Sequence, residues 1–379
     1  MNMDEVLNKI ENICFKNIKI KGLYEKFDYE IPLKKIEDLA ILYGLNGIGK
    51  TTILKLIDLF SYSIFEEIFK IKFEQIDFNL IPYPSSDFHF EFFVSLINSN
   101  SKKIIFSFKS EIFNFKQEYA DINELGVIFR MIREIRIPAK IIYENLEEES
   151  EISCQEPHDF FGSLLSHINC WYIPSLRNNI KDFNILDSFY KKKRKEFKQA
   201  IKGKKRADKQ IKKFKVESLS QIEILNDLMS YFFEEKLNYV SNGFVYLYTH
   251  NIIKEFGEEK KLYEEIINSL LDFKVIKIDE GGLICILENN EILHLKDLSS
   301  GEKNLIILIY EILFDAQDYS LVLVDEPEIS LNINWHYDFI EILKDIQKLK
   351  KFQFIIATHS PQIVNENITN CIDLELRDK

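Results

Sequence analysis

The chain has 379 residues, a hydrophobic content of 46% and a net charge of −12. This length and content allow a large core in one or two domains, and the negative charge argues against a protein that coats nucleic acid over its whole surface. No apolar run is long enough to cross a bilayer, the N-terminus lacks a signal-peptide pattern, and the five scattered cysteines form no CxxC pair. We therefore expect a soluble cytoplasmic protein with buried, reduced thiols and no membrane partner.

The first hundred residues predict an antiparallel layer of strands. Apolar residues alternate in 13–20 and again in 27–31, which is typical of a hairpin of half-buried strands. Three further strand-like runs, 73–78, 88–96 and 103–108, are separated by turn residues. Because their phenylalanines alternate with polar residues, we predict that these rings pack in a core and do not form a base-stacking platform.

The stretch Gly44-Leu45-Asn46-Gly47-Ile48-Gly49-Lys50-Thr51-Thr52 has the pattern of a phosphate-binding loop. It follows a short apolar strand, 39–43, and precedes a run with helical spacing of apolar residues, 53–60. Glycines allow successive backbone N–H groups to converge on a phosphate, and the helix N-terminus adds its dipole. In such a loop Lys50 would reach the β- and γ-phosphates, and the Thr51 hydroxyl would ligate Mg²⁺.

The middle of the chain predicts a core strand and then a helical insertion. Residues 170–174 form an apolar strand that leads to Arg177, which either faces a nucleotide or caps a carboxylate. The pattern is helical from 185 to 233. Within it, the basic segment Lys191–Lys215 holds fourteen Lys or Arg and two acidic residues. This segment is either a solvated helical surface or an arm that binds the phosphates of DNA or an acidic partner.

The last third opens with a hairpin and a helix. Residues 274–278 and 283–287 lie on either side of two glycines, which predicts a pair of strands. The stretch 298–303, Leu-Ser-Ser-Gly-Glu-Lys, then starts a helix whose apolar face runs to residue 313.

Two buried strands follow, and each ends in polar side chains. The apolar run 321–324 is typical of a central parallel strand and ends in Asp325 and Glu326, while the run 352–357 leads to His359. Ligands bind at the carboxyl ends of such strands, so we predict that both runs lie beside the phosphate-loop strand. Asp325 can hold Mg²⁺ through water, and Glu326 can orient or deprotonate an attacking water.

Taken in order, these motifs resemble the ABC-type ATPases, in the soluble branch that includes SMC proteins, RecF and the OLD family. Residues 13–59 and 296–364 carry the resemblance. The sequences Glu-Pro-Glu-Ile-Ser-Leu-Asn and Ala-Thr-His-Ser-Pro-Gln-Ile-Val are similar to those of OLD-type ATPases and of small defence ATPases such as those of PARIS and Septu systems.

The resemblance implies ATP and Mg²⁺ as cofactors and a set of site residues. It places Walker A at 44–52, the signature at 298–302, Walker B at 321–326, the D-loop at 328–332 and the switch histidine at His359. The implied nucleotide contacts are Asn46, Gly47, Ile48, Gly49, Lys50, Thr51, Thr52, Ser299, Gly301 and Glu302. Thr51 and Asp325 would bind the metal, and Glu326 and His359 would be catalytic.

Two features depart from the family pattern. No glutamine stands where a Q-loop is expected, since the stretch 171–177 has none. OLD nucleases continue into an acidic nuclease domain, whereas this sequence stops about twenty residues after His359. We therefore expect any nuclease activity to belong to another polypeptide.

The resemblance and the patterns together predict an α/β fold: a P-loop ABC-ATPase head with a central, mostly parallel sheet, an N-terminal antiparallel β layer and a helical insertion. We divide it into an N-terminal lobe (1–180), the basic insertion (181–240) and a C-terminal lobe (241–379).

Three functions fit this fold. The first is an ATPase that closes as a head-to-tail pair, in which Ser299 and Gly301 of one copy complete the site of the other, and that controls a separate effector such as a nuclease in antiphage defence. The second is a RecF- or SMC-like ATPase that binds DNA in repair or chromosome maintenance, through Lys191–Lys215. The third, a motor subunit of a membrane transporter, fits less well because of the long insertion.

Overall fold

The computed structural model describes most of the ATPase-like regions of the sequence. The described residues are 10, 12–33, 37–83, 90–98, 102–110, 114–120, 157–174, 257–279, 282–289, 291–293, 298–329 and 331–375. The basic segment Lys191–Lys215, the predicted insertion at 181–240, Arg177 and Cys154 lie outside them.

These residues form three sheets and several helices. The strands are β1 (Asn12–Leu23), β2 (Phe27–Pro32), β3 (Leu39–Tyr43), β4 (Gln75–Tyr83), β5 (Phe90–Asn98), β6 (Lys102–Ser110), β7 (Asn114–Tyr119), β8 (Cys170–Ile173), β9 (Lys274–Asp279), β10 (Gly282–Leu287), β11 (Ile292–Leu293), β12 (Leu321–Asp325), β13 (Gln353–Thr358) and β14 (Cys371–Asp373). The helices are α1 (Lys50–Ser61), α2 (Phe65–Ile68), α3 (Pro157–Ser166), α4 (Gly257–Leu270), α5 (Ser300–Tyr310), α6 (Ile333–Lys350) and α7 (Pro361–Val364).

The chain divides into two compact units. The first comprises Met1–Ser175, Lys261–Leu270 and Leu308–Lys379, and the second comprises Leu176–Lys260 and Leu271–Ile307. The described strands β9 to β11 form an antiparallel sheet of the second unit, in the order β11-β10-β9. This confirms the predicted hairpin of residues 274–287.

The predicted antiparallel layer is present in the first unit. Its six strands lie in the order β2-β1-β4-β5-β6-β7, and each pairs antiparallel with its neighbour. β4 begins two residues after the start of the predicted run 73–78 and ends five residues beyond it, β5 ends two residues beyond the run 88–96, and β7 was not predicted. Its sequence, Asn-Phe-Lys-Gln-Glu-Tyr, carries too few apolar residues to stand out.

The central sheet of the first unit is parallel, in the order β14-β3-β13-β12-β8. The adjacency of β3, β13 and β12 confirms the prediction made from the three apolar runs. All the residues of β12 and β13 are buried, as the lack of alternation in these runs indicated. The carboxyl ends of these strands therefore meet at one edge, beside the loop that follows β3.

The core of the first unit lies against the apolar side of α1. This face, with Ile53, Leu54, Ile57 and Phe60, is fully buried, and the Phe60 ring stacks on Phe78 of β4 with centroids 3.7 Å apart. The inward phenylalanines of the antiparallel sheet are also buried: Phe15, Phe78, Phe92, Phe106 and Phe108. They are core residues, as predicted.

One buried amide ties the two sheets of the first unit together. The Gln353 side chain, at the start of β13, accepts a hydrogen bond from the Phe15 N–H at 3.0 Å and donates one to the Phe15 carbonyl at 2.7 Å. The backbone N–H and carbonyl of Phe15, in β1, are thus both hydrogen bonded inside the core, where an unpaired polar group would cost about 1–3 kcal/mol.

Four of the five cysteines are described, and all four are free thiols. Cys14, Cys170 and Cys285 are buried, as predicted, whereas Cys371 is only partly so. Burial raises the pKa of Cys14 to about 12, which leaves this thiol protonated and unreactive at neutral pH. Among the described helices, none has the length and apolar character needed to span a membrane.

Candidate functional site

The phosphate-loop sequence lies between β3 and α1 at the carboxyl edge of the parallel sheet. β3 ends at Tyr43, and α1 begins at Lys50. The residue that precedes the helix is Gly49, and no side chain caps the helix. The first N–H groups of α1 and the positive end of its dipole are therefore available to an anion.

Two glycines of the loop have backbone conformations that other residues rarely adopt. Gly47 and Gly49 have φ angles of 87° and 98°. At Gly49 a side chain would also approach Leu23 Cδ2 to within 3.0 Å. The sequence therefore needs glycine at these positions to curl the backbone around a ligand.

Lys50 is buried within its own loop. Its Nζ donates to the carbonyl oxygens of Gly44 at 2.7 Å and Leu45 at 3.0 Å. Burial lowers the pKa of this ammonium group, and nearby carboxylates, led by Glu326, partly offset the effect. The lysine is thus a cation held at the loop by two backbone carbonyls.

The Thr51 hydroxyl and the Asp325 carboxylate lie in contact at the end of β12. Thr51 Oγ1 is 3.0 Å from both carboxylate oxygens, and the Tyr172 hydroxyl of β8 donates to Oδ2 at 3.3 Å. Burial raises the pKa of Asp325 to about 6, an effect that the Thr51 bond opposes and the Glu326 charge reinforces. The carboxylate therefore carries an unfavourable charge that a cation would stabilise.

These groups fit a Mg²⁺ ion that is completed by phosphate and water. In the described part of the chain, no cluster of three or more His, Cys, Asp or Glu side chains could hold a metal by itself. Mg²⁺ at phosphate sites commonly uses one or two protein oxygens, with the rest from phosphates and water. Thr51 and Asp325 supply such a pair.

Glu326 follows Asp325 in a left-handed backbone conformation, with φ of 44°. Its N–H donates to the Ala357 carbonyl of β13 at 2.8 Å, which holds this turn against the neighbouring strand. Non-glycine residues in this region cost about 1–3 kcal/mol and occur often at functional sites. Glu326 is held in this conformation between the end of β12, which it follows directly, and the hydrogen bond to β13.

His359 lies beside two acidic side chains at the end of β13. Its Nδ1 is 2.9 Å from Glu328 Oε1 and 3.8 Å from Glu326 Oε1. The sequence placed His359 near Glu326, and the structure brings them together. The closer partner, Glu328, had been interpreted only as the start of the D-loop.

A cleft of about 310 Å³ lies over the loop, and its walls are Tyr24, Asn46, Gly47, Gly49, Lys50, Thr51, Thr52 and Glu326. Seven of these eight residues belong to the predicted site. Ile48, the remaining loop residue of the prediction, accepts a hydrogen bond from Tyr29 through its carbonyl at 2.7 Å.

Two residues at the loop were not predicted from the sequence. The Tyr24 hydroxyl, in the β1–β2 turn, is hydrogen bonded to Thr52 Oγ1 at 2.8 Å. Glu375 Oε1, beyond β14, accepts from the Leu45 N–H at 2.7 Å. Both contacts join separate parts of the chain, so a local sequence pattern does not indicate them. The one available signal is weak: Tyr24 is an aromatic residue in a hairpin turn.

The signature residues Ser299, Gly301 and Glu302 belong to the second unit. Ser299 Oγ accepts from the Glu302 N–H at 3.3 Å, and Glu302 Oε2 accepts from the Ser299 N–H at 2.9 Å, which is a capping box at the start of α5. Glu302 also pairs with Lys274 at 2.8 Å. Partial burial raises the pKa of Glu302, but its bonds to Lys274 and Ser299 outweigh this and lower it overall.

Residues 39–365, most of the chain, match the AAA_21 family model, which is described as "AAA domain, putative AbiEii toxin, Type IV TA system".

The chain is also similar to three individual proteins. It is 29% identical to Septu protein PtuA of Bacillus thuringiensis, over 39% of this chain and 41% of that protein. It is 24% identical to the Escherichia coli protein named "Retron Ec83 probable ATPase", over 65% of this chain and 50% of that protein. The Smc head bound to the C-winged helix domain of ScpA matches with a TM-score of 0.45 and 12% identity, over 96% of this chain and 94% of that one. The chain spans half or less of the length of these two curated relatives.

Proposed function

Because the chain belongs to the AAA_21 family of ATPase domains, we propose that it binds ATP with Mg²⁺ in the cleft over Gly44–Thr52 and hydrolyses it. The observation that carries this proposal is the meeting of Thr51 and Asp325 at 3.0 Å, with Lys50 and Glu326 lining the same cleft. It brings the end of β12 to the phosphate loop, across a separation of 274 residues in the sequence.

The roles of the residues follow from their chemistry. The open N–H groups at the start of α1 and the Lys50 ammonium would bind the phosphates. Thr51 and Asp325 would hold Mg²⁺, which when bound neutralises charge on the phosphate oxygens. Glu326, a carboxylate at the cleft wall, would orient the attacking water and accept its proton. His359, held at the neighbouring strand end, would contact the reacting phosphate.

We further propose that two copies close around ATP. By the family resemblance, Ser299 and Gly301 of one copy would complete the site of the other. The first unit also exposes three large apolar side chains at intervals of four residues just after the Walker B strand, namely Ile329, Ile333 and Tyr337, which are 51–58% exposed. A second copy would remove this apolar surface from water.

The relatives favour a role in antiphage defence. The two curated relatives described above are named after Septu and retron systems. We propose that this chain is the cytoplasmic sensor or scaffold ATPase of such a system, and that nucleotide-driven closure controls a separate effector protein such as a nuclease.

Light scattering tests the closure directly. Glu326→Gln protein is expected to bind ATP without turning it over, so its mass should rise to that of a dimer or higher oligomer when ATP is added. Ser299→Arg in the same background is the matched control, because it places bulk and charge at the composite site and should keep the mass of the nucleotide-free state. A mass that is the same with and without ATP contradicts closure by ATP.

A co-purification experiment tests the link to an effector. The protein and the product of an adjacent nuclease or toxin gene would be expressed together, with one of them tagged. With the parent protein, we expect the two proteins to be recovered together, in an amount that changes when ATP is added. Independent elution under all nucleotide conditions contradicts the proposed control of an effector.

A further inference from the structure

One carboxylate oxygen organises the end of β13. Glu328 Oε1 accepts hydrogen bonds from the Thr358 hydroxyl at 2.8 Å and from the His359 backbone N–H at 2.8 Å. The ring nitrogen Nδ1 of His359 lies 2.9 Å from the same oxygen. Two hydrogen bonds and this close nitrogen contact, all from two consecutive residues, thus converge on a single atom.

From this convergence we propose that Glu328 is the positioning residue that fixes the ring of His359, so that His359 meets the nucleotide through Nε2. The proposal rests on the proposed ATPase function. Glu328 itself would not contact the reacting atoms, and its effect on hydrolysis would pass through the histidine.

The proton on His359 follows from the chemistry of its partner. A carboxylate accepts hydrogen bonds, so in this proposal the ring nitrogen that lies 2.9 Å from Glu328 Oε1 carries the ring proton. That nitrogen is Nδ1. In the neutral ring the lone pair is then on Nε2, at the ring position away from Glu328, and this is the arrangement by which a carboxylate fixes the tautomer of a functional histidine.

Burial strengthens the contact between Glu328 and His359. The Glu328 side chain is only 5% exposed, whereas the His359 side chain is 44% exposed. Within the described residues, Glu328 Oε2 is buried and has no hydrogen-bond partner. The hydrogen bonding of this carboxylate is therefore concentrated on Thr358 and His359, in a place where little water competes with these bonds.

The neighbouring carboxylate does not serve this purpose. Glu326 Oε1 is 3.8 Å from Nδ1, beyond hydrogen-bond distance, and its side chain is more exposed, at 20%. Holding the ring through Glu328 leaves Glu326 available to the attacking water. The two acidic residues on either side of Pro327 thus have separate tasks.

Hydrogen bonds of Ser360, which follows His359, also hold the backbone of residues 358–360. The Ser360 N–H donates to Thr358 Oγ1 at 3.0 Å, so this hydroxyl both donates to Glu328 and accepts from the backbone. The Ser360 hydroxyl lies 3.3 Å from Nδ1 of His336 on α6. These contacts keep the backbone of 358–360 in place, so that removing Glu328 should release the ring while leaving the strand end folded.

Steady-state kinetics separate a positioning role from a structural one. Glu328→Ala is expected to lower kcat by about 10- to 100-fold, the loss typical of removing such an outer partner, while KM for ATP changes less than twofold. In a His359→Ala background the same substitution should cause no further loss. Glu341→Ala, which removes an exposed carboxylate of α6 paired with Lys344 at 2.7 Å, is the matched control and should keep the parent rate.

A conservative variant guards against misfolding. Glu328→Gln keeps the volume and an oxygen that can still accept the hydrogen bonds from Thr358 and from the His359 backbone and lie against the ring, so it should recover most of the rate lost in Glu328→Ala. Equal losses in both variants, a parent rate in Glu328→Ala, or an undiminished loss in the His359→Ala background would overturn the proposal.

The tautomer can be read without turnover. Long-range ¹H–¹⁵N NMR spectra of protein labelled at histidine nitrogens, with His359 assigned by its absence in His359→Gln, should show the proton on Nδ1 in the parent. Glu328→Ala should shift this ring toward the Nε2–H form, and an unchanged spectrum overturns the proposal. If the parent fails to hydrolyse ATP, the proposed function fails, and the NMR result still decides whether Glu328 fixes His359.

Discussion

Replacing Asp325 by Asn is expected to stabilise the nucleotide-free protein at neutral pH while destroying its Mg²⁺ site. The buried carboxylate has a pKa of about 6, against an ordinary value of 3.8. The folded state therefore binds a proton that the unfolded state has already released between about pH 4 and 6. It follows that this group costs stability as the pH rises through that window, and that the cost is fully present above about pH 6.

The size of the effect follows from the two pKa values. Each pH unit of difference corresponds to 1.36 kcal/mol, so the ionised Asp325 costs the folded state about 3 kcal/mol at neutral pH. Asn has no charge to desolvate, and its amide oxygen can still accept the hydrogen bond from the Thr51 hydroxyl. About 1 kcal/mol of this cost is already present at pH 4.5, where an unfolded carboxyl with a pKa of 3.8 is mostly ionised, so the stability difference between Asp325→Asn and the parent should grow by about 2 kcal/mol from pH 4.5 to pH 7.5.

Thermal unfolding of the two nucleotide-free proteins over this pH range measures the difference, because other titrating groups contribute equally to both. With MgATP the order should reverse: the parent should gain stability by binding, and Asp325→Asn should gain little of the Mg²⁺-dependent part. Parallel pH profiles for the two proteins would refute the reasoning, since they would show that Asp325 does not titrate near pH 6 in the fold.

Three further substitutions test other parts of the account. Lys50→Ala should weaken binding of a fluorescent ATP analogue more than tenfold, with the exposed Lys70→Ala as control; equal affinities would contradict the loop assignment. Tyr24→Ala should weaken the same binding about tenfold if its ring packs on the base, whereas Tyr24→Phe should not; an unchanged affinity in Tyr24→Ala would remove this contact. Replacing the five basic residues 191–195 by Ser should keep basal hydrolysis, lower DNA or partner binding more than tenfold and make that binding less dependent on salt. Unchanged binding would show that this basic segment is only a solvated surface.

Local patterns predicted the parts of the fold that local physics determines. The strand at 321–324 was recognisable because a run of four apolar residues between polar turns is typical of a strand buried on both faces, and β12 is fully buried. The phosphate loop was recognisable because the positive φ angles of Gly47 and Gly49 require that residue type. Together with the apolar run 352–357, these two features predicted that β3, β13 and β12 lie side by side in the central sheet.

Contacts between distant segments could not be predicted in this way. Glu375 accepts a hydrogen bond from Leu45, 330 positions away in the sequence, and Gln353 accepts one from Phe15, 338 positions away. Each is a polar residue in an unremarkable local sequence, and only the packing of two sheets gives it a partner. Glu328 was overlooked for a similar reason, since its role depends on the end of a neighbouring strand.

ATP turnover by Glu326→Gln is the most direct measurement of the central claim. Glu326 lines the cleft but contributes no contact to Lys50 or Thr51 in the hydrogen bonds described above, so its amide variant should bind ATP with the parent affinity. Phosphate release should fall by at least about 100-fold, because the amide cannot accept the proton of the attacking water. Hydrolysis by Glu326→Gln at the parent rate would contradict the claim that this cleft is an ATPase site with Glu326 as its base.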